Sequence, residues 1–138
     1  MTMVLKDVYK IFPDEMDCIK FLEGLLWNNT PVCPYCKWSN YTNLKTENRY
    51  HCNTCNNTFS VTVGTVFHKT KCDLRKWFFA IYIYEATKIP ITARALGELI
   101  RVTKDTAWLM LNKIRKSSVT DAETFNRIRA VLIQKKSK

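Results

Sequence analysis

The chain has 138 residues, 46% of them hydrophobic and 25% charged, a composition typical of one or two small globular domains. No apolar stretch approaches the ~20 residues that a membrane-spanning helix needs, so we expect a soluble protein with no membrane partner. The net charge of +10 is uneven: residues 1–60 hold six basic and six acidic side chains, whereas residues 61–138 hold sixteen and six. This surplus favours a polyanion such as nucleic acid, although a solubilising basic surface is the alternative.

The N-terminal part predicts one amphipathic helix followed by short strands. The helix covers about 14 to 27, with acidic residues at its start and the stop signal Asn28 to Pro31 after it. Between Val32 and Val63 the pattern changes to turns and three short strands, predicted at Tyr41 to Leu44, Arg49 to His51, and Phe59 to Val63 with its end at Gly64. This segment has little apolar content, so we expect a metal to supply much of its stability.

Four cysteines in this segment form two C-x-x-C pairs with fifteen residues between them. Thiolates at positions i and i+3 of a tight turn can both reach one ion at ~2.3 Å, and two such turns complete a tetrahedron. The spacing therefore predicts one structural Zn²⁺ site with these ligands: Cys33, Cys36, Cys52 and Cys55.

Other interpretations of the cysteines are less favoured. Two disulfides require an oxidising compartment, and the N-terminus shows no export signal. A thioredoxin-like redox motif requires a βαβ unit, which the pattern does not show. Iron could occupy four thiolates, although an ordinary structural role favours zinc. With the tetrahedron full, four further side chains are not expected to be ligands: Cys18, Cys72, His51 and His68.

The C-terminal part predicts four helices. Residues 74 to 86 are apolar nearly all round, which indicates a buried helix that ends before Pro90. Thr92 can cap a short helix from Ala93 to Ile100, and Thr103 can cap a second from Lys104 to about Lys116. A last helix begins with a capping box, Thr120-x-x-Glu123, and ends in a basic tail from Lys135 to Lys138.

The two helices joined by the turn Arg101 to Thr103 form a predicted helix-turn-helix. The second helix of such a unit enters the major groove, its apolar stripe facing the bundle and the opposite face meeting base edges. Helix pairs of this kind also occur in domains that bind no DNA. The predicted DNA contacts are Lys104, Thr106, Asn112, Lys113, Arg115 and Lys116 on the second helix, with Arg94 and Arg101 near the DNA backbone.

We therefore expect a small α+β protein with an N-terminal helix, a zinc-ribbon β-hairpin and a helical helix-turn-helix bundle. The predicted domains are residues 1–66, with the helix and the zinc ribbon, and residues 67–138, with the helix-turn-helix.

Several motifs follow one another along the chain: Cys-Pro-Tyr-Cys, Cys-Asn-Thr-Cys, the run Phe59 to His68, the segment Leu74 to Phe78, and Thr106-Ala107-Trp108 ahead of Lys113-Ile114-Arg115. Their order resembles that of the zinc-ribbon transposases. These are the Merlin-type DNA transposases and their bacterial insertion-sequence relatives. The resemblance covers about residues 11 to 116. It implies a ribbon and a helix-turn-helix that bind transposon inverted repeats, with the four cysteines as zinc ligands and Lys104 to Arg115 as the DNA-reading helix.

The resembled transposases continue into a domain in which three acidic residues hold two metal ions for strand transfer. After Ser117 the only acidic residues are Asp121 and Glu123, at a helix start where capping explains them, so we expect no catalysis. The predicted function is zinc-dependent binding of double-stranded DNA, in transcription regulation or at transposon ends. The alternative is a protein-interaction adaptor on a larger nucleic-acid machine, and a homodimer or protein partner is left open. The expected location is the cytoplasm, at the nucleoid, in a bacterium, or the nucleus in a eukaryote.

Overall fold

The computed structural model describes residues 3–28, 30–44, 49–63, 65–67, 72–86 and 91–136. Its helices and strands confirm the predicted α+β class. In chain order they are α1 (Leu5–Ile11), α2 (Glu15–Trp27), β1 (Tyr41–Leu44), β2 (Arg49–Cys52), β3 (Thr58–Phe59), α3 (Leu74–Ala86), α4 (Ala93–Ile100), α5 (Lys104–Ser117) and α6 (Ala122–Lys136). The predicted roles of Gly64, His68, Pro90 and the last two residues of the basic tail lie outside the described residues. No described helix combines the length and the apolar character that a membrane span requires.

The chain divides into two compact units. The ribbon unit comprises residues 16–70, with α2 and the three strands, and the helical unit comprises residues 1–15 together with 71–138, with α1 and α3 to α6. The N-terminal residues thus belong to the same unit as the C-terminal helices, whereas they were predicted to share a domain with the ribbon. Because a compact unit need not fold independently, the domain boundary between residues 66 and 67 stays a prediction.

The ribbon unit contains a three-stranded antiparallel sheet in the order β1-β2-β3. Its register pairs Tyr41 with Cys52 and Tyr50 with Phe59, which places the second C-x-x-C pair at the end of β2. β1 and β2 lie at their predicted positions, β2 being one residue longer.

The predicted third strand, Phe59 to Val63, is wrong in extent because β3 ends at Phe59. The chain then turns: the Val63 N–H donates to the Ser60 carbonyl at 3.2 Å, and the Thr65 hydroxyl donates to the Thr62 carbonyl at 2.7 Å. The hydroxyls of Ser60 and Thr62 also lie 3.0 Å apart. Such short-range bonds from Ser and Thr compete with a strand ladder, and here they replace it.

The helical unit is built around α3, which packs against α1, α4, α5 and α6. Its side chains are buried on most sides, as the sequence predicted: Leu74, Trp77, Phe78, Phe79, Ala80, Ile81 and Ile83. Phe78 meets Phe12 edge to face, with ring centroids 5.3 Å apart. Tyr82 is only half-buried and stacks on Phe79. Burial all round is possible because four other helices surround α3.

Helix α1 was not predicted from the sequence. It has 7 residues and buries only Leu5 and Val8, so its apolar period is too short to stand out. The Asp7 carboxylate accepts a hydrogen bond from the Val4 N–H at 3.0 Å, and the Asp7 N–H donates to the Val4 carbonyl at 2.9 Å. These bonds satisfy N–H groups that a helix start leaves without partners.

Arg75 at the start of α3 holds the region after α1 in place. Its guanidinium lies 3.1 Å and 2.8 Å from the two Asp73 oxygens, donates to the Pro13 carbonyl at 2.9 Å, and covers the Tyr9 ring at 4.2 Å. The Leu74 N–H donates to Glu15 at 3.2 Å. Burial raises the pKa of Asp73, but the hydrogen bonds and charge of Arg75 outweigh it, so that the pKa is lowered.

Helices α4 and α5 and the turn between them lie where the sequence predicted them. Thr92 Oγ1 accepts from the Ala95 N–H at 3.1 Å, and Thr103 Oγ1 accepts from the Thr106 N–H at 3.2 Å, so both predicted caps are confirmed. Arg101 ends α4 in the left-handed conformation, with φ of 59°.

The predicted capping box at Thr120 is wrong. Helix α6 begins at Ala122, which puts Asp121 rather than Thr120 at the position before the first helical residue. The Thr120 hydroxyl instead donates to the Ser117 carbonyl at 3.5 Å, and the Asp121 N–H donates to the same carbonyl at 2.8 Å. The Thr120 hydroxyl, which was predicted to cap the start of α6, is therefore bonded to the end of α5.

Candidate metal centre and basic helix face

Each C-x-x-C pair lies on a turn with the same backbone hydrogen bonds. In the first turn the Cys33 N–H donates to the Trp38 carbonyl at 3.0 Å, and the Lys37 N–H donates to the Cys33 carbonyl at 2.9 Å. In the second, the corresponding bonds join Cys52 to Asn57 at 2.8 Å and Asn56 to Cys52 at 2.9 Å.

Both turns also reverse at the residue after the second cysteine, with φ of 67° at Lys37 and 62° at Asn56. A repeated turn of this kind directs the two sulfurs of a pair toward one point. Hydrogen bonds within each turn therefore shape each half of the site, and the pairing of β1 with β2 brings the two halves together.

The four sulfurs form one cluster. All lie within 4.8 Å of one another, with 3.6 Å between Cys33 Sγ and Cys55 Sγ and 3.5 Å between Cys36 Sγ and Cys52 Sγ. In a tetrahedral site with Zn–S bonds of ~2.3 Å, neighbouring sulfurs are about 3.8 Å apart, so the cluster fits Zn²⁺ after small adjustments. These four cysteines form one structural zinc site, as the spacing predicted, and the zinc would hold the two turns together.

Neighbouring thiols in the cluster have opposite pKa shifts, because the ionisation of one thiol disfavours the ionisation of the next. Backbone N–H groups of Cys55 and Thr54 and the neighbouring thiols lower the pKa of Cys52 to about 6 against the opposing effect of burial. The Trp38 N–H lowers the pKa of Cys36, but desolvation and the other sulfurs outweigh it and raise that pKa to about 12. Four thiolates this close repel one another, whereas a bound cation favours the ionised form of all four.

An aromatic group supports the metal centre from one side. The buried cluster consists of Cys33, Cys52 and Phe59, and Trp27 and Tyr50 pack against it. The rings of Trp27, Tyr50 and Phe59 lie with each pair of centroids 5.7 Å apart. This contact fixes the end of α2 against the sheet.

Tyr50 of this aromatic group also makes a hydrogen bond to α2, in which its hydroxyl donates to the Glu23 carboxylate at 2.7 Å. Burial and the Glu23 carboxylate raise the pKa of Tyr50 to about 12. The sequence patterns did not predict that Trp27, Glu23 and Tyr50 support the site. A signal existed, since Trp27 ends a helix only six residues before the first ligand.

The other cysteines and His51 do not belong to the group of four sulfurs. Cys18 is buried on α2, and Cys72 precedes the Asp73–Arg75 pair, where burial raises the pKa of the Cys72 thiol. His51 lies on β2, directly before the ligand Cys52. Over the described residues, the four thiols are the group that meets the geometry of a metal site.

The predicted DNA-contact residues lie together on α4, α5 and the turn between them. Thr106 and Asn112 are half-buried. The six basic residues are exposed: Arg94, Arg101, Lys104, Lys113, Arg115 and Lys116. Within the described ranges, none of the six has a carboxylate within 4.0 Å. The opposite side of α5 is the buried one, with Ala107, Met110, Leu111 and Ile114, as the period predicted. The structure thus brings these residues together, and their contact with DNA stays a prediction.

Two residues that the sequence analysis did not single out fix this helix pair. A Cβ on Gly97 of α4 would lie 2.9 Å from the Val102 carbonyl oxygen and 3.6 Å from Ala107 Cβ, so the turn and α5 approach α4 closely there. The Lys76 ammonium on α3 donates to the Arg101 carbonyl at 3.1 Å.

The site and the sheet define a four-cysteine zinc ribbon, followed by helices with a basic face. Residues 13–58 match the transposase zinc-ribbon domain family. This segment is a transposase zinc ribbon, and the resemblance that the motifs indicated is confirmed.

A relative extends the similarity beyond the ribbon. It is described as an uncharacterized protein in transposable element ISH50 of Halobacterium salinarum, and it is 30% identical over 111 residues. The similarity covers 78% of this chain and 37% of the relative, so the chain spans well under half the length of that protein. No solved structure is similar enough to count as a match.

Proposed function

We propose that this transposase-related zinc protein binds double-stranded DNA, with α5 in the major groove and the ribbon as a structural support. The membership of residues 13–58 in a transposase domain family supports nucleic-acid binding in general. The finer role that we propose is regulation of transcription or binding of transposon inverted repeats, without strand transfer.

The observation that carries the proposal is the basic face of α4 and α5. Six basic side chains are exposed there against two acidic ones, Glu98 and Asp105. A duplex presents one phosphate charge per ~1.7 Å of axis, so cations with no carboxylate partner nearby have an anion to neutralise. The ribbon, in contrast, lies in the charge-neutral part of the sequence.

The geometry of α5 supports groove binding. Its 14 residues make a rod of about 21 Å, and the major groove, about 12 Å wide, accepts one helix. Because α5 buries one side against the helical unit, its other side is available along the whole length. The close approach at Gly97 holds the two helices at a fixed distance, as groove reading requires.

The test is the binding of labelled duplex and single-stranded DNA over a series of salt concentrations. We expect tighter binding to duplex and a linear fall of log K with log salt. Replacing Lys113 and Lys116 by alanine should reduce that slope by about 2, since each lost phosphate contact removes about 1. The matched control replaces Lys6 and Lys10, two exposed lysines of α1, and should leave the slope unchanged. No salt slope, or no preference for duplex, would exclude the groove-reading model.

The target is tested by selection of bound fragments from the host genome. Enrichment of inverted repeats supports binding at transposon ends, whereas enrichment at one promoter supports regulation. If the selected DNA site is palindromic, with half-sites one helical turn apart, we infer that the protein binds it as a dimer.

The expectation of no catalysis is tested separately. Plasmid nicking that depends on Mg²⁺ or Mn²⁺ and is lost in Asp121→Ala would overturn it. Burial raises the pKa of Asp121, and burial has this effect on a carboxyl group whether or not the group is catalytic.

A second candidate is a protein-interaction adaptor. It is favoured by the exposed aromatic side chains of the ribbon, Tyr35, Trp38 and Tyr41, since exposed aromatic residues often anchor interfaces. Trp38 has 65% of its surface exposed although its carbonyl is held by Cys33. A stoichiometric protein that co-purifies from nuclease-treated lysate, and is lost in Trp38→Ala, would favour this function.

A further inference from the structure

The outward side of α5 carries two large apolar side chains among its cations. Trp108 is 58% exposed and Leu109 is 55% exposed. The helix already buries four apolar residues on its other side, so the core does not need these two. Large apolar groups exposed side by side commonly mark a surface that meets a partner.

Helix geometry places this pair between polar and charged neighbours. Residues three and four apart on a helix are adjacent, so Trp108 lies one turn from Lys104 and from Asn112, and Leu109 lies one turn from Asp105 and from Lys113. The apolar pair therefore occupies the middle of the outward face, with lysines at both ends.

Charge complementarity identifies the occupant. Lys104 and Lys113 are exposed one turn from the pair on the same helix, so a molecule that covers Trp108 and Leu109 must also neutralise positive charge. Duplex DNA does both, because the major groove is lined by phosphates and contains one apolar group, the thymine 5-methyl. A purely apolar protein groove would leave the lysines desolvated without partners, at a high cost.

We propose that Trp108 and Leu109 are specificity-determining residues that contact thymine methyl groups in the major groove. This inference rests on the proposed function, and it adds that the preferred sites contain thymines opposite the middle of α5. The charged residues then hold the duplex, and the apolar pair selects among sequences.

The experiment compares two duplex pools of the same random sequences, one with thymine and one with uracil at every thymine position, which removes only the methyl group. We expect the intact protein to bind the thymine pool more tightly, by about fourfold for each methyl contacted. The double variant Trp108→Ala, Leu109→Ala should bind both pools equally and keep the salt slope of the intact protein. Because both side chains are exposed, the double variant should keep its zinc and its helical circular dichroism.

The matched control is Val119→Ala, which removes an apolar side chain that is 85% exposed just after α5. It should keep the thymine preference. Equal binding of both pools by the intact protein would overturn the inference while the salt slope still supported DNA binding. A preference that survives in the double variant would also overturn it, since other residues would then contact the methyl groups. If the intact protein binds neither pool, the proposed function fails first and the inference with it.

Discussion

The ribbon unit and the helical unit reach stability by different means. Around the metal centre of the ribbon, the fully buried residues are Cys33, Cys52 and Phe59, and two of these three are metal ligands. The helical unit instead buries apolar side chains from all five of its helices. A short segment cannot bury enough apolar surface to offset its loss of conformational entropy, so coordination bonds take over that role.

The units also differ in charge. The ribbon unit, residues 16–70, holds five basic and three acidic side chains, a net charge of +2, whereas the helical unit holds seventeen and nine, a net charge of +8. The region that needs a metal to fold is therefore distinct from the region with the charge to attract DNA. Each of the following predictions tests this division.

The largest effect is expected from loss of a zinc ligand. Cys52→Ser should abolish stoichiometric zinc binding and unfold the ribbon, because structural zinc sites bind with about 10 kcal/mol or more. Zinc content and the near-ultraviolet signal of Trp27 and Tyr50 measure this, and the far-ultraviolet helical signal should largely persist. Cys72→Ser is the control and should keep one zinc per chain. Full loss of helical signal in Cys52→Ser would show that the helical unit depends on the metal as well.

The next effect concerns the apolar core of the helical unit. Phe78→Ala removes a fully buried ring in contact with Phe12 and should lower the free energy of unfolding by about 3–5 kcal/mol. Denaturant unfolding followed by circular dichroism measures the loss, while zinc content should stay at one. In the control Ile133→Ala, which changes a residue 45% exposed on α6, the loss should be below about 1 kcal/mol. Loss of zinc in Phe78→Ala would contradict the separation of the two units.

A smaller change in the free energy of unfolding is expected from a substitution at Gly97, and its sign distinguishes close from loose packing of α4 against α5. Alanine normally stabilises a helix interior by about 1 kcal/mol relative to glycine. Here the added Cβ would meet the Val102 carbonyl oxygen at 2.9 Å, so Gly97→Ala should instead destabilise by about 1–3 kcal/mol. Unfolding midpoints measure the sign, with the exposed neighbour Glu98→Ala expected within about 0.5 kcal/mol of the parent. A stabilised Gly97→Ala protein would mean that α4 and α5 are not held this closely.

The smallest effect is a dependence on pH in the helical unit. The folded pKa of Asp73 lies below its unfolded value, so its contribution is present above the unfolded pKa, near 4, and is lost as the pH falls through the folded pKa. Because the pair with Arg75 is partly exposed, we expect below about 1 kcal/mol. Asp73→Asn should remove this part of the acid dependence, measured as unfolding midpoints between pH 6 and 3. Parallel pH curves for Asp73→Asn and its parent would show that the ion pair is not coupled to folding.

Much of the candidate site could be predicted because it depends on short-range geometry. The C-x-x-C spacing fixes which sulfurs share a turn, and the caps Thr92 and Thr103 act on N–H groups three residues away. The apolar period of α5 likewise fixes which side is buried, and hence which side offers lysines and arginines to DNA.

The remaining features depend on partners that are distant in sequence. Arg75 contacts Pro13 across 62 residues, and Tyr50 contacts Glu23 across 27. The sequence alone determined the zinc ligands, the bounds of α3 to α5 and the asymmetry of charge, since each follows from composition or from residues within about one helical turn. Only the tertiary structure decided the packing of α1, the aromatic support of the zinc site and the closeness of α4 to α5. These depend on which surfaces meet after the chain folds back, and no local pattern encodes that.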